Sequence, residues 1–222
     1  MMVSAKFEAV TVDYGYRGPS LIVGCSKIEF VAEAGLVTFL RGTNGSGKSS
    51  FFRALLNAAP LIGGHATILH NGSAISEPER IAVRELASRY EISYLPQSPS
   101  DALPAGMTLS TANQLWEKIH PTDPAEEWSD LKAFFEQLKH KDKESISGGQ
   151  AQIISLYFAA RRQADIYLLD EPSAYVSSEN RSRITDSIRQ LINKGCIVIV
   201  ASHDDELLND FQAQEKRIVT LA

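Results

Sequence analysis

Two glycine-rich segments of this 222-residue chain have the composition of loops that bind anions. Residues 42–49 read GTNGSGKS and fit the pattern GxxxxGK[ST], in which consecutive backbone N–H groups surround phosphate oxygens. In that pattern the lysine, here Lys48, reaches the outer phosphates of a nucleotide, and the next hydroxyl, here Ser49, binds Mg²⁺. Residues 146–150 read ISGGQ, where a serine hydroxyl and bare backbone amides precede a predicted helix and form a second anion site.

Two adjacent acids and a histidine follow predicted buried strands. Asp170 and Glu171 end the apolar run 166–169, and His203 follows the apolar run 197–201. Carboxylates at the end of a buried strand are costly unless a bound group uses them. Asp170 is predicted to hold Mg²⁺ through water, and Glu171 to polarise the water that attacks a γ-phosphate. Because ligands of α/β sheets bind beyond the carboxyl ends of strands, we expect His203 to contact that phosphate.

Gln97 lies where the predicted core passes into a segment of different character. Residues 98–144 are broken by prolines and carry apolar stripes at helical spacing, which predicts an inserted helical subdomain. At the hinge between the two parts, Gln97 is predicted to sense Mg²⁺ or the γ-phosphate and to pass that signal on as rotation of the subdomain. The alternative is a solvated loop glutamine.

Strand and helix patterns alternate along the rest of the chain. Strands of an antiparallel layer are predicted at 6–12 and 28–32, and a strand with a tight turn at 66–72. Buried parallel strands are predicted at 37–40, 166–169 and 197–201. A helix is predicted over 49–59, ended by Pro60 and the pair Gly63-Gly64, and two more helices are expected to be capped by Ser147 and by Ser177 or Ser178.

This alternation predicts an α/β fold with a mostly parallel sheet, an antiparallel β layer and an inserted helical subdomain. We expect a single domain, residues 1–222, whose core comprises 1–97 and 145–222 around the helical insertion at 98–144.

Composition excludes several classes of protein. A net charge of −5 and a pI near 5.6 argue against a surface that tracks nucleic-acid phosphates. Short basic clusters, such as Arg161-Arg162, are interpreted as solvated faces. Two cysteines, Cys25 and Cys196, lie too far apart in sequence for a CxxC metal or redox motif. No signal peptide is expected, and no apolar run reaches the roughly 20 residues that span a bilayer.

Together these motifs, in this order, resemble the ATP-binding cassette (ABC) family over essentially the whole chain. Residues 42–49 resemble the family's Walker A loop, and Gln97 resembles the glutamine of its Q-loop. Residues 147–150 resemble its signature motif, and His203 resembles its switch histidine. Residues 166–170, followed by Glu171, resemble its Walker B motif with the catalytic glutamate. The first loop alone fits many nucleotide-binding families, so the combination carries the resemblance.

The resemblance implies roles for named residues, with ATP as the substrate and Mg²⁺ as the cofactor. The ATP-binding residues it implies are Gly42, Thr43, Asn44, Gly45, Ser46, Gly47, Lys48, Ser49, Ser50 and Tyr16. Tyr16 is expected to stack under the adenine ring, and Tyr14 is the alternative candidate for that role. The catalytic residues it implies are Glu171, His203, Lys48 and Gln97. Those near the metal are Ser49, Gln97 and Asp170. Ser147, Gly148, Gly149 and Gln150 are expected to contact ATP held by another subunit.

The resemblance also implies a head-to-tail dimer with a second ABC ATPase subunit, identical or different. This chain departs from the family pattern at three points: Ile146 replaces a leucine, Ala151-Gln152-Ile153 replaces an arginine-rich stretch, and Ser177 replaces the D-loop aspartate. In the family, that aspartate helps to couple the two ATP sites of the dimer. One hypothesis is therefore that this chain works beside a non-identical partner ATPase, or that its two ATP sites are weakly coupled.

Two functions remain open at this stage. The first is the ATPase subunit of an ABC transporter, held at the cytoplasmic face of a membrane through a separate membrane-spanning partner. The helical subdomain would receive that partner, with Leu103, Met107, Leu109 and Trp116 as candidate contacts. The second is a soluble ABC ATPase that remodels a ribosome, nucleic-acid or protein assembly, because the sequence DEPSAY at 170–175 resembles soluble ribosome-recycling members.

Overall fold

The computed structural model describes residues 2–13, 25–43, 45–58, 61–71 and 79–221. Its strands are β1 Met2–Asp13, β2 Cys25–Glu33, β3 Val37–Arg41, β4 Leu61–Asn71, β5 Glu79–Ala82, β6 Ile92–Leu95, β7 Ile166–Asp170, β8 Ile197–Ala201 and β9 Lys216–Thr220. Its α-helices are α1 Lys48–Leu55, α2 Leu86–Arg89, α3 Pro99–Ala102, α4 Leu109–Ile119, α5 Ser129–Leu138, α6 Gly148–Arg161, α7 Ser178–Asn193 and α8 Asp205–Asn209. Short 3-10 turns occur at Val83–Glu85, Ala125–Trp128 and Lys143–Ser145.

The strands form two sheets. β6, β7, β8, β3 and β9 lie side by side in that order, and every adjacent pair is parallel. β2, β1, β4 and β5 form a separate antiparallel layer. This confirms the predicted α/β fold with its antiparallel layer. Among the described helices, α3, α4 and α5 fall within residues 98–144, where the helical subdomain is predicted; the division into subdomains stays a prediction.

The parallel sheet is buried on both faces, as its unbroken apolar strands predict. Alternate residues of β7 point to opposite sides: Leu168 joins a core with α1 and the antiparallel layer, whereas Tyr167 and Leu169 join a core with α6, α7 and the helical segment. Residues of β8 alternate in the same way. The carboxyl ends of these strands are therefore held rigidly from both sides.

One predicted boundary is wrong. The glycine pair Gly63-Gly64, expected to end the first helix, lies inside β4, which pairs with β1. The helix itself ends at Leu55, and β4 begins at Leu61. Because glycine interrupts helices and strands alike, the pair indicates that the helical pattern stops but does not distinguish a turn from a strand at that point.

Arg161 is also not the solvated residue we predicted. Its side chain is buried and forms an ion pair with Glu117 at 2.8 Å, together with hydrogen bonds to Asn113, Tyr157 and the Asp123 carbonyl. A buried guanidinium is tolerated when its donors are satisfied in this way. The Arg161 side chain therefore links α6 to α4, because Glu117 and Asn113 lie on α4. No described helix is long and apolar enough to cross a bilayer.

Candidate active site

The phosphate loop connects β3 to α1. Gly45 and Gly47 have φ values of 87° and 94°, in the left-handed region where a side chain is strained. Gly47 is also the N-cap residue of α1, so the loop leads directly into the positive end of that helix. The predicted strand–loop–helix context of the motif is therefore present. Asn44, predicted to bind ATP, lies outside the described residues.

Lys48 is held inside this loop. Its side chain is buried, and Nζ donates hydrogen bonds to the carbonyls of Gly42 at 2.8 Å and Thr43 at 3.3 Å. These contacts fix the ammonium group within the loop. A cation in that position attracts a phosphate strongly because few water molecules screen it.

Asp170 ends β7 and Glu171 follows it, and both face the phosphate loop. A cavity of about 450 Å³ joins the two elements, and we call it the phosphate-side cavity. Its lining residues are Gly45, Gly47, Lys48, Ser49, Ser50, Gln97, Asp170 and Glu171. The structure thus brings together the first loop, the acidic pair and Gln97, which come from distant parts of the sequence.

The carboxylate of Asp170 is almost completely buried. Burial raises its pKa, and a hydrogen bond from Ser49 opposes that rise. Tyr94 donates a hydrogen bond to Oδ2 at 3.4 Å. Burial and the nearby Asp170 charge raise the pKa of Tyr94 to about 12, so its hydroxyl stays protonated at neutral pH. Oδ1 of Asp170 has no hydrogen-bond partner in the described part of the chain.

Glu171 is the most constrained residue of the site. Its φ of 48° is unusual for a non-glycine residue, and its side chain is buried. The carboxylate is 2.8 Å from Nδ1 of His203 and accepts a hydrogen bond from the Ser202 hydroxyl at 3.2 Å. Its backbone N–H donates to the carbonyl of Ala201 at 2.8 Å, and its carbonyl accepts from the buried Gln152 side chain. These contacts fix the carboxylate at the end of the sheet.

His203 follows β8, which pairs with β7. Its side chain is 72% exposed although its ring touches the buried Glu171. The ring is therefore accessible from solvent, in position to contact a group that enters beside Glu171. Sequence reasoning assigned no role to Ser202 or Gln152. The sequence pattern gives little indication of a role for Ser202 or Gln152, because each is a single polar residue next to a motif.

The signature segment lies at the start of α6. The Ser147 hydroxyl accepts a hydrogen bond from the Gln150 N–H at 3.2 Å, and the Gln150 side chain accepts one from the Ser147 N–H at 3.0 Å. This capping box satisfies two backbone donors at the helix end, as the predicted cap implies. By contrast, Ser177 is the N-cap of α7, but its hydroxyl bonds the Asn180 side chain instead of a backbone N–H.

The described signature residues lie outside the phosphate-side cavity of their own chain. None of the described residues that line the phosphate-side cavity belongs to 147–150. Gly148 instead lines a different cavity, of about 370 Å³, with Tyr175 and Ile146. Tyr16, proposed to stack on adenine, and its reserve Tyr14 lie outside the described residues.

Gly149 has a steric reason to be glycine. A Cβ added there would lie 2.4 Å from the backbone oxygen of Tyr175, whereas a Cβ on Gly148 would lie 3.8 Å from the nearest atom, in ordinary contact. We therefore expect Gly149→Ala to lower the free energy of unfolding by about 1–3 kcal/mol and Gly148→Ala to change it by less than about 0.5 kcal/mol. Urea unfolding of both variants measures the difference; equal effects would contradict the proposed steric cause.

The comparisons with known proteins agree with this geometry. The sequence model of the ABC transporter family matches residues 25–174. An uncharacterised ABC transporter ATP-binding protein of Haemophilus influenzae is 28% identical over 219 residues, which cover 93% of this chain and 79% of that protein. A probable siderophore transport system ATP-binding protein of Bacillus subtilis is 28% identical over 213 residues, or 91% of this chain and 73% of that protein.

Solved structures show the same fold. A dimeric ATP-binding cassette in a post-hydrolysis state with ADP and phosphate superimposes with a TM-score of 0.75 at 21% identity, covering 98% of this chain and 94% of that one. The family match extends over more than half of the chain and includes the phosphate loop, Gln97, the signature segment and the acidic pair. This chain belongs to the ABC transporter family and is one of its ATPase subunits.

Proposed function

We propose that this ATPase subunit energises transport through a separate membrane-spanning chain, and that ATP drives its head-to-tail dimerisation. The observation that carries the proposal is the separation of the two phosphate-contacting segments. The phosphate loop and the acidic pair share one cavity, while the described signature residues lie outside it. The capped end of α6 would then complete the ATP site of a second subunit, identical or different.

The site residues have proposed roles; His203 lines a neighbouring cavity that also includes Glu171, and the others named here belong to or surround the phosphate-side cavity. Lys48 binds the β- and γ-phosphates, and the backbone amides of residues 42–50 surround them. Glu171 accepts a proton from the attacking water, and His203 contacts the γ-phosphate while its Nδ1 holds Glu171. Gln97 lines the same cavity from the start of the helical segment, which supports its proposed role as a sensor of bound nucleotide.

The donors on this chain suit Mg²⁺, which prefers oxygen ligands. Asp170 offers the buried, unpartnered Oδ1, and the Ser49 hydroxyl lies within hydrogen-bond reach of the same carboxylate. Ser49 and Asp170, with Gln97 nearby, are therefore the residues proposed to hold the ion. When bound, Mg²⁺ neutralises phosphate charge. The chain's own part is to fix these oxygens beside the phosphate loop.

Dimerisation would use the positive end of α6. Ser147 accepts a hydrogen bond from Gln150 through its oxygen, so its hydroxyl proton remains able to donate to a phosphate. Gly148 and Gly149 add backbone amides at the same helix end. ATP between two subunits then acts as part of the interface, and its hydrolysis removes those contacts.

A second cavity is the proposed docking site for the membrane partner. This cavity, of about 490 Å³, is called the lateral groove here. Its lining residues are Arg53, Leu56, Ala58, Tyr94, Pro96, Asp101, Ala102, Trp116, Ser155, Phe158 and Ala159. Of the partner contacts predicted from the sequence, Trp116 lines the groove, whereas Leu103 and Leu109 are buried core residues and Met107 packs against that core. Docking there would hold the subunit at the cytoplasmic face of a membrane.

The test is a pull-down with Glu171→Gln loaded with ATP, run in parallel against solubilised membranes and cytosol. A matched pair of variants locates the contact: Ala102→Arg places a long cation in the groove, and Ala213→Arg places one on an exposed loop outside it. We expect a multi-spanning membrane protein to be recovered with Ala213→Arg and lost with Ala102→Arg. Recovery of ribosomes or a soluble complex, without a membrane protein, would favour the remodelling ATPase instead.

A further inference from the structure

Tyr94 is a residue of the site that the functional motifs do not account for. It lies on β6, where its Cα pairs with that of Leu168 on β7. Its ring lines the lateral groove, and its hydroxyl bonds the carboxylate of Asp170, which lines the phosphate-side cavity. A single side chain therefore stands between the two cavities.

Strand geometry explains how the contact arises. Side chains two residues apart on a strand share a face, so Asp170 follows Leu168 on the same side of β7. The long tyrosine side chain on the neighbouring strand spans that distance, and its hydroxyl lies 3.4 Å from Oδ2. Phe52 on α1 packs against the Tyr94 ring edge to face, with the ring centres 6.3 Å apart. Packing thus fixes the hydroxyl before any ligand binds.

The two oxygens of Asp170 are in different situations. Oδ2 accepts the hydrogen bond from Tyr94, while Oδ1 is buried with no hydrogen-bond partner among the described residues. A carboxylate turns about its terminal bond, so the Tyr94 donor on Oδ2, together with the nearby Ser49 hydroxyl, restricts where Oδ1 points. Holding a ligand oxygen in one orientation is how groups behind a metal ligand raise metal affinity.

We propose that Tyr94 is a positioning residue for the metal site: its hydroxyl holds Oδ2 of Asp170 so that Oδ1 faces the ion. This rests on the proposed function of Asp170 as a metal-site residue.

The experiment measures binding of a fluorescent ATP analogue to the purified chain while Mg²⁺ is titrated. Tyr94→Phe removes the hydroxyl and keeps the ring against Phe52. We expect the Mg²⁺ concentration at half-maximal binding to rise about three- to tenfold, the range for one lost hydrogen bond. Tyr167→Phe is the matched control: it removes a buried tyrosine hydroxyl of β7 that bonds the Arg162 carbonyl, and it should leave the Mg²⁺ titration unchanged.

Further variants distinguish the possible failures. Asp170→Asn alone should shift the Mg²⁺ titration, and adding Tyr94→Phe to it should cause no further shift, because both act through one carboxylate. A normal titration for Tyr94→Phe beside a shifted one for Asp170→Asn overturns the role of Tyr94. An unshifted Asp170→Asn overturns the metal role of Asp170 instead. Should Tyr94→Phe unfold, Tyr94→Met fills the space without a hydroxyl and should give the same shift.

Discussion

Replacing Glu171 by glutamine is expected to lower the rate of ATP turnover by about 100-fold or more while leaving ATP binding intact. A positioned general base contributes about 10²–10⁴ to a rate, and an amide cannot take the proton that the carboxylate accepts. Glutamine has nearly the same shape, so its oxygen can still accept the Ser202 hydrogen bond that holds this buried side chain. The change therefore removes basicity with little change in packing.

Turnover and binding must be measured separately for this variant. Phosphate release reports turnover, and a fluorescent ATP analogue reports affinity. Glu136→Gln is the matched control, since it makes the same change at an exposed carboxylate on α5 that pairs with Lys139, and it should keep turnover within about twofold. Unchanged turnover in Glu171→Gln would remove this residue from the mechanism, whereas lost binding would assign it to substrate affinity.

The sequence predicts the local features of this protein better than it predicts the contacts between distant elements. The phosphate loop, the cap at Ser147, the acidic pair and His203 each depend on a local rule: a residue type at a strand end or a helix start. Local rules survive folding, and the structure has each of these features where the rule puts it.

The residues that sequence reasoning missed depend on long-range register instead. Tyr94 reaches Asp170 only because β6 pairs with β7 in one particular alignment, which no local pattern specifies. Arg161 was misjudged for a related reason. An arginine at the end of a helix is usually solvated, and only the packing of α4 against α6 supplies the Glu117 and Asn113 that satisfy it. Contacts that depend on the pairing of distant elements therefore become apparent only in the folded structure.

Lys48→Ala is expected to weaken ATP binding by about 30-fold or more and to abolish measurable turnover at ordinary ATP concentrations. Removing one member of a desolvated charge pair costs roughly 2–5 kcal/mol, and each 1.4 kcal/mol is a factor of ten. The desolvation is present here, because the Lys48 side chain is buried and bonded to two loop carbonyls. The Nζ group is therefore already in place for phosphate, so little ordering offsets its attraction.

A charge-retaining variant separates geometry from charge. Lys48→Arg keeps the cation but replaces the compact ammonium group with a larger, planar guanidinium. We expect the guanidinium not to reproduce both contacts to the carbonyls of Gly42 and Thr43, and the variant to bind ATP nearly as poorly as alanine does. Lys139→Ala removes a half-buried lysine that pairs with Glu136 and should leave the affinity within about twofold. Full affinity in Lys48→Arg would show that charge alone suffices there. Full affinity in Lys48→Ala would mean that the loop amides and the positive end of α1 hold the phosphates without the ammonium group.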